Sequence, residues 1–274
     1  MNINELAIWL INLPRDVARR TAMESQLSQM GLNWHLFEAI DGAERRTELL
    51  AQTDEAAYRR NMGSTLLPGH MGVYASHLAV WEALVASEHE IALILEDDVV
   101  FHDDFPEALQ AALDTRDEWD LIRFNAIRAK MPVPNGRIGR YQINAYIGPF
   151  TGNAAYLIKR EVAARLLPGM RRQDRALDHE FNRFDVHHYR LRGLEPFASH
   201  PDDGNLSTIN GEGFSRVRKF KWYKRLPHYR LKLANYARRF AYLLRSGALP
   251  GHTRQLAPGA TGAAQNAPRS KSAG

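Results

Sequence analysis

Residues 90–101 read EIALILEDDVVF. An apolar run ends there in three consecutive acids, Glu96, Asp97 and Asp98, and the chain turns apolar again at Val99. A short run with no polar face reads as a strand covered on both sides of a sheet. Three acids at its end repel one another. Two full charges about 4 Å apart cost roughly 4 kcal/mol at an effective dielectric of ~20. Something positive should compensate: a metal ion, a basic side chain or bound protons. The plain alternative is a capping or solvated acid, as for Asp103 and Asp104 just downstream.

Working outward, LAIWLINL (6–13) is another apolar run, stopped by Pro14. In DVARRTAMESQLSQMG, Val17, Met23, Leu27 and Met30 recur at helical spacing, and Gly31 suits the residue just past a helix end. LNWHLFEAI alternates toward a second strand that ends at Asp41-Gly42. Strand, helix and strand within 42 residues predict a βαβ unit with parallel pairing. Residues 43–68 are polar and weakly patterned, a loop with a short helix. A helix is predicted from about Met71, with Val73, His77, Val80, Trp81 and Leu84 on one stripe. DDFPEALQAALDTR predicts a helix with Asp at its start and Arg at its end, as the macrodipole favours. DLIRFN and AAYLIKR read as strands, REVAARLLPG as a helix, and HHYRLRGLEPF as a last strand. Glycine and proline punctuate 132–152, which reads as an irregular loop crossing the active face.

This alternation predicts an α/β fold, an open, mostly parallel sheet flanked by helices. Ligands of such sheets bind beyond the carboxyl ends of the strands. Asn12, Asp41 and the three acids all sit at predicted strand ends and should gather on one edge.

A chain of 274 residues suffices for one large or two small domains with a buried core. Cysteine is absent, which excludes disulfides and thiolate chemistry and fits a reducing compartment. MNINELAIWLINLPRD lacks a basic leader and reads as a first strand, not a signal peptide. No apolar stretch approaches the ~20 residues of a membrane span. The net charge of +5 hides an asymmetry. All 31 acids precede residue 214, while 14 of the 36 Lys and Arg follow it, so the first 213 residues carry −9 and the remainder +14. The two parts should meet different partners.

Strand-end carboxylates suit a hard divalent cation, Mn²⁺ or Mg²⁺, that bridges substrate phosphates. Other α/β chemistries lack their signatures. There is no G-x-x-x-x-G-K-[ST] loop, and the turn after the first strand reads NLPRDVARR where a dinucleotide site needs G-x-G-x-x-G. A phospho-acceptor receiver domain is shorter than this chain. Arg15, Arg19 and Arg20 in that turn could face a diphosphate, and Arg19 and Arg20 equally fit a solvated helix face.

Several ordered blocks resemble glycosyltransferase family 25, the lipooligosaccharide β-galactosyltransferases and their collagen-modifying relatives. They are IWLINLPRDVARRTAME, FEAIDG, GHMGVYASHLAVWEALVASEHEIALILEDDVVF, GNAAYLIKREVAARLL and STI, spread over about 6–210. The resemblance implies a GT-A-like, Rossmann-like fold and an inverting sugar transfer from a nucleotide sugar, most often UDP-galactose. It implies Mn²⁺ or Mg²⁺ bridging the diphosphate. Asp98 is then the foremost metal ligand, with Glu96 or Asp97 at the metal, ribose or sugar. Asn12 and Arg15 would lie near the nucleotide, and Asp41 with Gly42 near the ribose or uracil. Ser76 and His77 match the family's SH pair, although His77 also suits a satisfied core histidine.

Inverting transfer needs a general base for the acceptor hydroxyl. RALDHEFNR offers Asp178 and Glu180, and the family's pattern favours Asp178, whose alternative is an exposed helix-start acid. His179 is a weaker contact candidate, and Gly152 in TGNAAY would let the chain approach the sugar closely. The expected division is a catalytic domain over 1–213, a basic amphipathic segment over 214–247 and a disordered tail over 248–274. In the basic segment Tyr229, Leu233, Tyr236, Ala237, Phe240 and Leu244 share a helical face, with Lys232, Arg238, Arg239 and Arg245 mostly opposite. That pattern predicts docking on an anionic membrane surface, packing on the domain being the alternative. With a glycan or lipid-linked glycan acceptor, the expected location is cytoplasmic, peripheral on the inner face of the cytoplasmic membrane. Nucleic acid is not an expected partner, although basic–aromatic segments also hold single strands. The rival to an enzyme is a nucleotide- or membrane-binding protein that keeps the fold without turnover.

Overall fold

A computed structural model describes residues 2–202 and 219–258. In chain order, β1 (Ala7–Asn12), α1 (Val17–Gln29) and β2 (His35–Glu38) form the first unit. Next come α2 (Arg46–Ala51), α3 (Glu55–Met62), α4 (Pro68–Ala86), β3 (Ile91–Glu96), β4 (Val99–Phe101) and α5 (Phe105–Asp114). Six strands follow: β5 (Leu121–Arg123), β6 (Arg128–Ala129), β7 (Pro132–Ile138), β8 (Tyr141–Tyr146), β9 (Phe150–Thr151) and β10 (Ala155–Lys159). The chain ends with α6 (Arg160–Met170), α7 (Leu177–Phe181), α8 (Phe184–His187), β11 (Leu191–Glu195), β12 (Ser199–Pro201), α9 (Leu226–Arg245) and β13 (His252–Gln255).

The fold is α/β and GT-A-like: a large mixed sheet flanked by helices. Its nine strands run β13-β7-β8-β11-β5-β10-β3-β1-β2. β1 lies between β2 and β3, parallel to both, as the βαβ pattern requires. Apolar residues on alternate sides of β1 and β3 feed two cores. Ile8, Leu10, Leu93 and Leu95 pack with Met23 and Leu27 of α1 and Leu109 of α5. Ala7, Ile11, Ala92 and Ile94 pack with Val80 and Trp81 of α4 and Leu166 of α6. α1 stops where Gly31 takes φ +66°, a left-handed turn glycine adopts without strain. β10 enters antiparallel between β3 and β5, locking the acid-bearing strand into the sheet centre.

Three expectations change. Residues 132–146 form a hairpin of the main sheet, β7 and β8, not an irregular loop over the site. Their glycines have strand duties: Gly139 turns the hairpin at φ +53°, and a Cβ on Gly136 would stand 2.7 Å from the Leu256 side chain packed there. Residues 43–68, expected as mostly loop, hold two helices, and Asp54 caps the second through the Ala57 amide at 2.9 Å. The segment expected to be disordered after residue 247 is structured through β13, which pairs with β7 and seats Leu256. Residues 259–274, the 213/214 boundary and the STI block lie outside the described residues.

α9 packs on α3 and α8. Arg239 and Leu243 are buried on its inner side. Tyr229, Leu233, Phe240 and Leu244 do form a stripe, but it faces outward, with Leu233 74% exposed. Arg239, expected on the solvated side, turns inward because the Gly148 carbonyl accepts from its Nη1 at 3.1 Å. Among the described residues no helix is long and apolar enough to cross a membrane.

Candidate active site

A cavity of about 340 Å³ opens at the carboxyl ends of β1 and β3. Its walls include Arg15, Arg19, the 39–43 loop, the first turns of α4, Ser76, His77 and the three acids. Parallel pairing of β1 with β3 brings Asn12, at the end of β1, to the acids at the end of β3. The predicted gathering of strand-end residues on one edge is what the sheet produces.

The second wall depends on close backbone contact. A Cβ on Gly42 would fall 1.8 Å from the Pro68 carbonyl oxygen, and one on Gly72 would fall 2.6 Å from that of Ile40. Only glycine at both places lets the 40–42 turn rest on α4. Ser76 holds the same junction: its Oγ accepts from the Ile40 amide at 2.8 Å and donates to the Gly72 carbonyl at 2.7 Å. Asp41 is positioned by accepting from the Ala43 amide at 2.7 Å, and it forms an ion pair with half-exposed Arg15.

The three acids are treated differently. Asp97 accepts from Asn12 Nδ2 at 2.7 Å and from Arg19 Nη1 at 2.8 Å. Burial still pushes its pKa up, against Arg19 and Asn12. Glu96 meets His77 Nε2 at 3.1 Å. His77 is fully buried. Trp81 Nε1 donates to the Tyr156 hydroxyl at 2.9 Å, and that hydroxyl lies 2.8 Å from His77 Nδ1. Burial keeps the Tyr156 phenol protonated, so it can donate to Nδ1, which leaves the proton on Nε2 to face Glu96. His77 is thus both a satisfied core residue and a cavity residue. Asp98 is the acid left short. Arg19 stands 3.9 Å from one oxygen, and the other, Oδ1, is buried with no partner. Burial and the Glu96 charge push Asp98 up to about 7.

That orphaned oxygen is the test of a metal. Among the described residues no three His, Asp or Glu converge as a metal cage. One carboxylate with a spare buried oxygen instead fits a cation completed by phosphate oxygens and water. Asp98 fits that role, and Glu96, bonded to His77, is the neighbouring carboxylate that could join it.

The base candidates separate. Glu180 is inside the protein, held by Arg175 Nε at 2.9 Å, Arg183 Nη1 at 3.0 Å and His187 Nε2 at 2.6 Å. Burial favours its neutral form, yet the His187 hydrogen bond and the two arginines outweigh it and lower its pKa. Glu180 is therefore the centre of an internal ion-pair cluster. Asp178 is half-buried on the same helix; burial raises the Tyr58 pKa and the Asp178 charge adds to it, while the same charge opposes the burial-driven fall of His70. Asp178 thus acts on residues packed at the first turn of α4, but it does not itself line the cavity.

Residues 5–181 match the family described as "Glycosyltransferase family 25 (LPS biosynthesis protein)". The chain belongs to glycosyltransferase family 25. A "Glycosyltransferase 25 family member" of Aedes aegypti is 27% identical over 78% of this chain and 39% of its own length. "Procollagen galactosyltransferase 2" of Homo sapiens is 28% identical over 71% of this chain and 34% of its own. "Probable inactive glycosyltransferase 25 family member 3" of Rattus norvegicus is 28% identical over 60% and 25%. The chain thus spans between a quarter and two fifths of these family 25 relatives. Within this family 25 chain, sequence reading overlooked Gly72 and the Tyr156–Trp81 support of His77, and left Arg19 undecided. The glycine four residues before Ser76, on the same helix face, was the available signal for the first.

Proposed function

We propose that the cavity at Glu96–Asp98 binds UDP-galactose and that the protein transfers galactose, with inversion, onto a lipooligosaccharide-type or related glycan. The observation that carries this reading is the buried, unpartnered Asp98 oxygen in a cavity also lined by Arg15 and Arg19. The cavity volume lies within the small-molecule range. Arg15 and Arg19 face the diphosphate, and Asp41 with Gly42 faces the ribose or uracil. Asn12 and Asp97 hold Arg19 in place, and Ser76 fixes the Asp41 turn. His77 orients Glu96 toward the sugar. Mn²⁺ or Mg²⁺ held by Asp98, with Glu96 beside it, would offset the charge that develops on the departing UDP. Asp178 takes the proton of the acceptor hydroxyl, leaving the oxygen to attack the anomeric carbon.

A screen of UDP-, GDP- and CMP-sugars for donor hydrolysis, with and without Mn²⁺, tests the reading. Turnover of UDP-galactose that needs the metal supports it, and no donor bound or turned over sinks it. A second reading is favoured by the family members named inactive: a fold that binds a nucleotide or membrane without turnover. Donor binding with no hydrolysis or transfer selects that reading.

The outward stripe of α9 is the membrane contact in this proposal, on the inner face of the cytoplasmic membrane. Exposed Leu233 and Phe240 enter the interface, and exposed Arg238 and Arg245 meet anionic headgroups. Co-sedimentation with phosphatidylglycerol vesicles should fall in Leu233→Glu and Phe240→Glu. Retained binding removes the membrane role, and preference for single-stranded RNA over vesicles replaces it.

A further inference from the structure

A second cavity, of about 120 Å³, lies where α9 meets α3, β9 and α7. Its cations come from separate parts of the chain: Arg128 from β6, Arg175 and Arg183 beside α7, and Lys232 and Arg239 from α9. His179 and His228 also line it, and no described Asp or Glu does. Arg175 and Arg183 are answered from behind by Asp174 and Glu180. Three cations are then left over. Arg239 is 4% exposed. Its partners are the Asn235 carbonyl at 3.1 Å, the Gly148 carbonyl at 3.1 Å, Asn182 Oδ1 at 3.3 Å and the Tyr236 ring, all neutral. Asp185, the nearby acid, is engaged by Arg238 at 3.2 Å. Arg128 and Lys232 are exposed and form no ion pair among the described residues. Packing like charges around a hollow, one of them buried against neutral acceptors, is costly unless an anion completes the set.

The hollow is about a third of the volume of the first cavity, too small for a nucleotide but suited to one tetrahedral oxyanion. It also lies close to that cavity. On α3, the Tyr58 hydroxyl is 3.0 Å from His70 Nδ1 in the first turn of α4, while Asn61 and Met62, one turn later, line the second cavity. On α7, Asp178 acts on Tyr58 and His70, and the next residue, His179, lines the second cavity. Asp178 itself lines neither cavity, but it is next in sequence to a residue of the second and within electrostatic reach of Tyr58 and His70 beside the first.

We propose that this second cavity binds a phosphate group carried by the acceptor glycan and so sets which acceptor hydroxyl reaches Asp178. The inference rests on reading the first cavity as the donor site. Guanidinium forks converging from several segments favour a tetrahedral phosphate over a neutral hydroxyl.

The test is calorimetric titration of the full chain with glucose 1-phosphate, inorganic phosphate and glucose, each with and without UDP and Mn²⁺. Glucose 1-phosphate should bind more tightly than inorganic phosphate, glucose should not bind, and UDP should not displace the sugar phosphate. Arg128→Gln and Lys232→Gln should each weaken that binding roughly tenfold, with the melting temperature unchanged because both residues are exposed. Binding retained in full by both variants, or displaced by UDP, overturns the proposal. Inorganic phosphate binding as tightly as the sugar phosphate overturns the glycan-linked source. UDP binding without any sugar phosphate binding overturns this inference alone. Sugar phosphate binding without UDP binding overturns the donor reading and leaves this cavity standing.

Discussion

Glu180 and the Glu96–Asp98 cluster are acid sites sunk into one α/β body, compensated in opposite ways. Glu180 is one carboxylate among Arg175, Arg183 and His187, and its pKa is lowered. Around Glu96–Asp98, Asp97 and Asp98 share Arg19, Asn12 donates to Asp97, Glu96 meets His77, and Asp98 is pushed up to about 7. A cluster whose charges close within the chain holds structure together. A cluster left short of positive charge is open to an added cation, the role proposed for it above.

The sharpest way to break this contrast is Glu180→Gln. It leaves nearly buried Arg175 facing a neutral amide, and urea unfolding should show a loss of about 3–5 kcal/mol. A loss under about 1 kcal/mol would remove Glu180 from the structural class. Asp98→Asn should do the reverse. Metal-dependent donor turnover should fall about 10²–10³-fold, while the melting temperature holds or rises because repulsion is relieved. A large drop in melting temperature would place Asp98 with Glu180.

The two sites also titrate in opposite senses. Folded Asp98 ionises near 7 against about 3.9 for a free aspartate. Between those values the folded chain binds the extra proton, so metal-free stability rises as pH falls from about 7 toward 4. Glu180 has a depressed pKa, so its stabilisation is complete above the ordinary glutamate range and is lost only as pH falls through its lowered value. Melts across pH 4–8 should show the first slope in wild type and a shallower one in Asp98→Asn, where Asp97 remains raised. Identical slopes in both would exclude Asp98 as its source, and Mn²⁺ affinity should weaken as pH drops through 7. The smallest effect belongs to Arg15→Gln. Its ion pair with Asp41 is half-exposed, so stability should change by under about 1 kcal/mol. UDP affinity should fall by roughly threefold to tenfold, and an unchanged affinity would take Arg15 out of the site.

Much of the cavity edge was legible because its signals are local. An apolar run ending in acids reads as a covered strand, and Asp41-Gly42 marks the end of another segment. Arg19 and Arg20 show where local reading stops. They are neighbours on α1, yet Arg19 turns to Asp97 while Arg20 lies 3.6 Å from Glu24. Helical phase alone does not say which faces an acid from another strand. The 132–146 hairpin was hidden because Gly136 serves a side chain, Leu256, that lies 120 positions away. The apolar stripe of α9 was legible, but its outward direction depended on Arg239 finding carbonyl acceptors in the domain.

The sequence by itself determined the α/β alternation and the strand that carries the acids. Backbone propensity and hydrophobic period act over a few residues and leave their mark in the string. Only the tertiary structure decided which acid lacks a partner and which base candidate is already occupied. Asp97 is satisfied by Asn12 and Arg19, 85 and 78 positions away. Charge compensation acts through space, so it is settled by which strands pair, and that pairing leaves Asp98 with the spare oxygen.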